Sequence, residues 1–110
     1  MPGSYRIERW NREDTPNAEE LRQLLKADGY NAFQWTDRPG AVYDEHSHEN
    51  DQSHWVVSGM IELQIRGEGA FVLSPGDRDF MPAGASHAAR VVGNEPVTYF
   101  IGEKKQECEF

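Results

Sequence analysis

From Gly29 onward the chain is cut into short pieces by turn residues, and that spacing limits what it can fold into. Breaks fall at Arg38-Pro39-Gly40, Ser58-Gly59, Gly67-Glu68-Gly69, Ser74-Pro75-Gly76, Pro82-Ala83-Gly84 and Gly93-Asn94-Glu95-Pro96. The pieces between them are rich in aromatic and branched residues and too short for stable helices. Strands are expected over 30–36, 41–45, 53–57, 61–66, 70–73, 79–81, 87–92 and 97–101. Many short strands joined by short loops define an all-β sandwich or barrel.

The segment before Gly29 has a different texture. Residues 5–10 alternate and predict an edge strand. Thr15 can cap a helix and Pro16 suits its first position, where a missing N–H costs nothing. Glu19 and Glu20 then complement the helix dipole. Leu21, Leu24 and Leu25 form one apolar stripe at helical spacing, and Gly29 supplies the left-handed stop. The expectation is one short N-terminal α-helix packed on the outside of the barrel.

A chain of 110 residues has room for one compact domain, 1–110. Its core barrel would run from about 30 to 102, with the strand and helix of 4–28 laid on it. The net charge of −8 argues against nucleic acid, which needs a basic stripe. The single cysteine, Cys108, cannot form an internal disulfide. No apolar run approaches membrane-spanning length and no signal-like segment opens the chain, so a cytoplasmic protein is expected.

Histidine placement carries the chemistry. His46 and His48 stand at i and i+2, so in a strand they share a face. His87 follows the Pro82-Ala83-Gly84 turn into another strand. Three imidazoles and the amide oxygen of Gln52, converging inside a barrel, would cap one side of a cation and leave its other side open. These spacings resemble the cupin superfamily of small barrels. Its first motif is matched in order by Gly40, His46, His48 and Gly59, with Gln52 where glutamate is usual. Its second is matched by Gly76, Pro82, Gly84 and His87, with Val91 where asparagine is usual. The resemblance covers 39–91. It implies a double-stranded β-helix, or jelly-roll, fold with a divalent metal ion (Fe, Mn, Ni or Zn) held by His46, His48, Gln52 and His87. It also implies a small-molecule ligand and a homodimer formed through an edge strand near the N-terminus, while the acidic charge and the lack of long apolar runs leave no nucleic-acid or membrane partner expected.

Gln52 binds through a neutral carbonyl, so with neutral imidazoles the donor set carries no negative charge. A divalent cation there keeps its full charge toward the open side. It should draw a carboxylate, an enolate or hydroxide, and act as a Lewis acid. Asp44 shares a face with His46 if its strand is regular, which makes it the inward acidic candidate. His54 is expected on the barrel wall beside the donors, hydrogen-bonded to them, with a substitute ligand role as the alternative. Arg78 and Arg90 are candidate carboxylate binders or surface ion pairs. Tyr43, Trp55, Phe80, Tyr99 and Phe100 are candidate pocket aromatics. The resemblance implies dioxygenase, isomerase, lyase or epimerase chemistry. A His-His-Gln-His set is similar to that of small cupins that open unsaturated uronate sugars, although 98–103 does not reproduce their polar last strand. The alternative is a non-catalytic module binding a small ligand or sugar.

Overall fold

A computed structural model describes residues 4–104. Its elements in chain order are β1 (Arg6–Glu8), α1 (Ala18–Ala27), β2 (Tyr30–Asp37), β3 (Val42–His46), β4 (Gln52–Ser58), β5 (Met60–Ile65), β6 (Gly69–Leu73), β7 (Arg78–Phe80), β8 (His87–Val92) and β9 (Val97–Lys104). The strands form two sheets, ordered β1-β7-β4-β9-β2 and β3-β8-β5-β6. Every pairing is antiparallel, β4 with β9 and β5 with β8 among them. This is the jelly-roll barrel expected, and each predicted strand is present to within a few residues.

Alternation along the strands sorts side chains into two cores. Val56, Ile61, Leu63, Leu73, Val91 and Val97 fill the space between the sheets. The opposite parity of β4 and β9 puts Trp55 and Phe100 on the outer face, where Leu21 and Leu25 of α1 cover them. Leu21, Leu25 and Phe100 are fully buried. Burying a leucine side chain contributes roughly 1.5–3 kcal/mol, so the helix is held by this face.

Helix boundaries differ from expectation. Asn17, not Thr15, is the N-cap: the Glu20 N–H donates to Asn17 Oδ1 at 2.9 Å. Pro16 lies before the cap rather than at the first helical position, so the cap falls two residues later than Thr15. Leu24 points outward, 41% exposed, so the buried stripe is Leu21 and Leu25 alone. Gly29 takes φ +93° just after the helix, as a left-handed stop requires. Strand β9 runs on to Lys104 through Gly102. A Cβ there would come within 3.3 Å of Leu25, Tyr30 and the Ser53 carbonyl, so the missing side chain lets helix and sheet close together. Cys108 lies outside the described residues.

Candidate metal centre

The two histidine-bearing segments meet at one end of the barrel. Strand β3 pairs with β8, with His46 opposite His87. The turn before β8 is tied to the loop after β3, because the Gly84 N–H donates to the His48 carbonyl at 2.8 Å. Gln52 opens β4 in the other sheet and exchanges both backbone hydrogen bonds with Met81, at 2.9 and 2.7 Å. Asp51 Oδ1 accepts from the Ala83 N–H, and Ser86 and Arg66 both donate to Glu45, whose carboxyl they hold down at about 2. The donor-bearing loops are therefore fastened by backbone and side chain alike.

Ring centroids of His46 and His87 are 4.4 Å apart, those of His46 and His48 4.8 Å, and those of His48 and His87 5.2 Å. One ligand atom from each lies within 4.8 Å of the others. The donor chemistry fits a cation. His46 Nδ1 lies 2.7 Å from the Asp44 carbonyl and His87 Nδ1 3.0 Å from the Ala85 carbonyl. A carbonyl only accepts, so each Nδ1 carries the proton and each Nε2 offers a lone pair. Burial pushes the pKa of His48 down, helped by the neighbouring His46 and His54. His87 is depressed mainly by burial too. Neutral rings are the form a metal binds, and imidazole donors suit Fe, Ni or Zn.

These side chains open on a cavity of about 290 Å³. Gln52, 5% exposed, lines it beside the three histidines. The remaining walls are largely apolar, with Ile61, Leu63, Ala89 and Ile101 from both sheets. His54 also lines it, its ring centroid 6.4 Å from that of His87. It stands beside the three-histidine group rather than within it. His54 Nδ1 lies 3.0 Å from Asp79 Oδ1. Burial opposes a charge on His54, but the charge and hydrogen bond of Asp79 outweigh it and its pKa is raised. Asp79 is fully buried and also accepts from the Tyr5 hydroxyl at 2.9 Å and the His54 N–H at 2.7 Å.

Several other expected positions fall elsewhere. Asp44 does not line the cavity, because a register shift between Tyr43 and His46 breaks the alternation. Three steps along β3 match two along β8, so Tyr43 and His46 both reach the cavity and Asp44 is left exposed. Trp55 and Phe100 belong to the core under α1. Arg90 is an exposed ion-pair partner of Glu62 at 2.8 Å. Arg78 is buried outside the barrel lumen, between Phe80 and Trp55, and pairs with Asp28 at 2.8 Å. Phe80 lies between the Arg78 and Arg6 guanidinium groups.

Tyr43 and Tyr99 do line the cavity, joined by Trp35, which the pattern of short strands did not single out. Their polar tips converge on Asp37, which is 8% exposed. Tyr43 donates to Asp37 at 2.6 Å, Tyr99 at 2.8 Å and Trp35 Nε1 at 3.0 Å. Burial, reinforced by Asp37, raises the pKa of Tyr99 far above the usual phenol range. Asp37 and Asp79 escaped sequence reasoning: the partners of Asp79 are far away along the chain, and Asp37, though close in sequence to Trp35 and Tyr43, needs Tyr99 from a distant strand to complete its set. Their one sequence signal was an acidic residue at an inward-facing strand position.

A jelly-roll barrel with a histidine cluster at one open end defines a class, and sequence comparison gives the family. The cupin-domain family model matches residues 33–101, and the chain belongs to the cupin family. No curated protein sequence matches it. Among solved structures, the DMSP lyase DddQ from Ruegeria pomeroyi is similar at 25% identity and TM-score 0.64, over 72% of this chain and 40% of the lyase. KdgF from a Halomonas species is similar at 30% identity and TM-score 0.58, over 68% of this chain and 69% of that one. A conserved Streptococcus pyogenes protein of unknown function is similar at 25% identity and TM-score 0.63, over 73% and 68% of the two chains.

Proposed function

We propose that the chain is a metal-dependent enzyme acting on a small anionic or oxygenated organic molecule, with Lewis-acid lyase or isomerase chemistry. The observation that carries this reading is the group of three imidazoles, two with Nδ1 tied to a carbonyl, facing an open and mostly apolar cavity. His46, His48, His87 and the Gln52 carbonyl oxygen would hold one divalent ion. The ion would polarise a carboxylate or carbonyl oxygen of the ligand. The chain's own residues supply the rest. Apolar walls exclude water around the ligand, and His54, fixed by Asp79, is placed to hold a proton beside it. Likeness to a DMSP lyase supports a lyase, though this chain spans 40% of that protein.

The reading includes a single cupin domain and a cytoplasmic homodimer. Strands β1 and β2 are the edges of their sheet, and β2 carries Phe33, 61% exposed. A monomer mass by light scattering would refute the pairing. The central test is elemental analysis of untagged protein, followed by calorimetric titration of Fe(II), Mn(II), Ni(II) and Zn(II). One ion per chain is expected, with affinity falling at least roughly a hundredfold in His87→Ala. Gln52→Glu should weaken binding of small carboxylates to the metal form, since it brings a negative charge to the donor set. Metal binding indifferent to His87→Ala would refute the site. A metal form that turns over nothing in a panel of sugar acids, diketones, phenols and onium carboxylates would leave a binding module in place of an enzyme.

A further inference from the structure

The cavity is electrically lopsided, and its second end has no role in the reading so far. A buried carboxylate is almost always paired with a cation. Asp37 is 8% exposed, yet among the described residues it forms no ion pair with lysine, arginine or histidine. Its neighbours are three neutral donors, Tyr43, Tyr99 and Trp35, and the rings of all three line the cavity. Asp37 itself sits behind their polar tips and does not reach the lumen.

Phenol and indole groups that donate to a carboxylate become more electron-rich, which strengthens the attraction of their rings for a cation. Because their protons are committed to Asp37, they have no hydrogen to give to a ligand hydroxyl or carboxylate. Apart from the metal-facing side chains and these three aromatics, His54 is the one polar residue lining the cavity among the described residues, and the rest are aliphatic. Most hydroxyls of a polyhydroxylated ligand would therefore lose hydrogen bonds on entry, at a cost of roughly 1–3 kcal/mol for each group left unpaired.

We propose that the end of the cavity lined by Trp35, Tyr43 and Tyr99, with Asp37 behind them, binds an onium group, a quaternary ammonium or sulfonium centre. This rests on the metal reading for the other end, where a carboxylate would sit. The ligand class is then a short zwitterion with an onium group at one end and a carboxylate at the other. The aromatic rings recognise the diffuse positive charge, Asp37 supplies the countercharge, and the uncharged donor set leaves the ion positive toward the carboxylate.

The test compares two molecules of one shape, trimethylammonioacetate and its uncharged-tail isostere tert-butylacetic acid, by calorimetry on Zn(II)-loaded protein. Tetramethylammonium is titrated separately into metal-free protein, where no carboxylate or ion takes part. The expected result is that trimethylammonioacetate binds at least about tenfold tighter than the isostere, and that Asp37→Asn reduces this preference to about twofold or less. Should Asp37→Asn fail to fold, Trp35→Leu, at a half-exposed position, should weaken tetramethylammonium binding about fivefold. Equal affinity for the two isosteres, or a preference that survives both substitutions, overturns the proposal. Binding of both carboxylates without tetramethylammonium overturns it while the metal reading stands. Binding of tetramethylammonium without either carboxylate supports the onium site and removes the metal-bound carboxylate.

Discussion

Removing the Asp79 carboxylate should damage the protein more than any surface change, and the size of the effect follows from its partners. Asp79 is fully buried and accepts from the Tyr5 hydroxyl, the His54 N–H and His54 Nδ1. Asp79→Ala leaves at least the first two donors without partners, and each orphaned buried donor costs about 1–3 kcal/mol. Allowing for relaxation, the loss is about 3–5 kcal/mol, a large fraction of the stability of a domain this small. Asp79→Asn keeps one acceptor oxygen and should cost about 1–2 kcal/mol. It should also invert the behaviour of His54. Burial lowers the pKa of that ring, and only Asp79 lifts it above the ordinary histidine value. With asparagine in place, burial acts alone and the pKa falls below that value. Urea unfolding of metal-free protein gives the stabilities, and histidine NMR titration gives the pKa. A loss below about 1 kcal/mol in Asp79→Ala, or a His54 pKa unmoved in Asp79→Asn, would rule out this role for the Asp79 carboxylate.

Three further outcomes are expected. In metal-free protein, NMR should show His48 and His87 titrating below the ordinary histidine pKa and His54 above it. The stability that His54 adds is complete below the ordinary value and lost as pH rises through its raised pKa, whereas His48 and His87 cost stability as pH falls below the ordinary value. A divalent ion at about a hundredfold excess over its Kd should stabilise the chain by about 2.7 kcal/mol, seen as a raised Tm that His87→Ala abolishes. Gly59→Ala should cost about 2–5 kcal/mol by urea unfolding. Its φ is +79° and a Cβ would lie 2.2 Å from the Pro96 carbonyl oxygen.

Much of the site could be read from the chain because spacing alone encodes it. Turn residues set where β3, β4 and β8 begin and end and so bring His46, Gln52 and His87 to one lumen, but His46 arrives there across a register shift and His48 from the loop after β3, where strand alternation was expected to place them. The same alternation, applied strictly, would have turned Trp55 outward, since it adjoins the inward-facing His54. What stayed hidden depends on contacts between distant segments. The bulge that displaces Asp44 is an irregularity of pairing with β8, invisible along β3 alone. Asp37 acquires its meaning from Tyr99, 62 residues away, and Asp79 from Tyr5, 74 residues away. Arg78 reads as a surface cation until α1 is seen to deliver Asp28 to it.

The donor positions span both sheets: β3, the loop that follows it and β8 bring the three histidines from one side, and β4 brings Gln52 from the other. An ion shared among them would act as a rivet across the barrel's rim, joining the two jaws where no hydrogen-bonded ladder does. Gln52 is the only member of that set on its side of the seam. Shortening this one side chain would unfasten the rim and leave the histidine group standing, which separates the holding of an ion from the closing of the mouth around it.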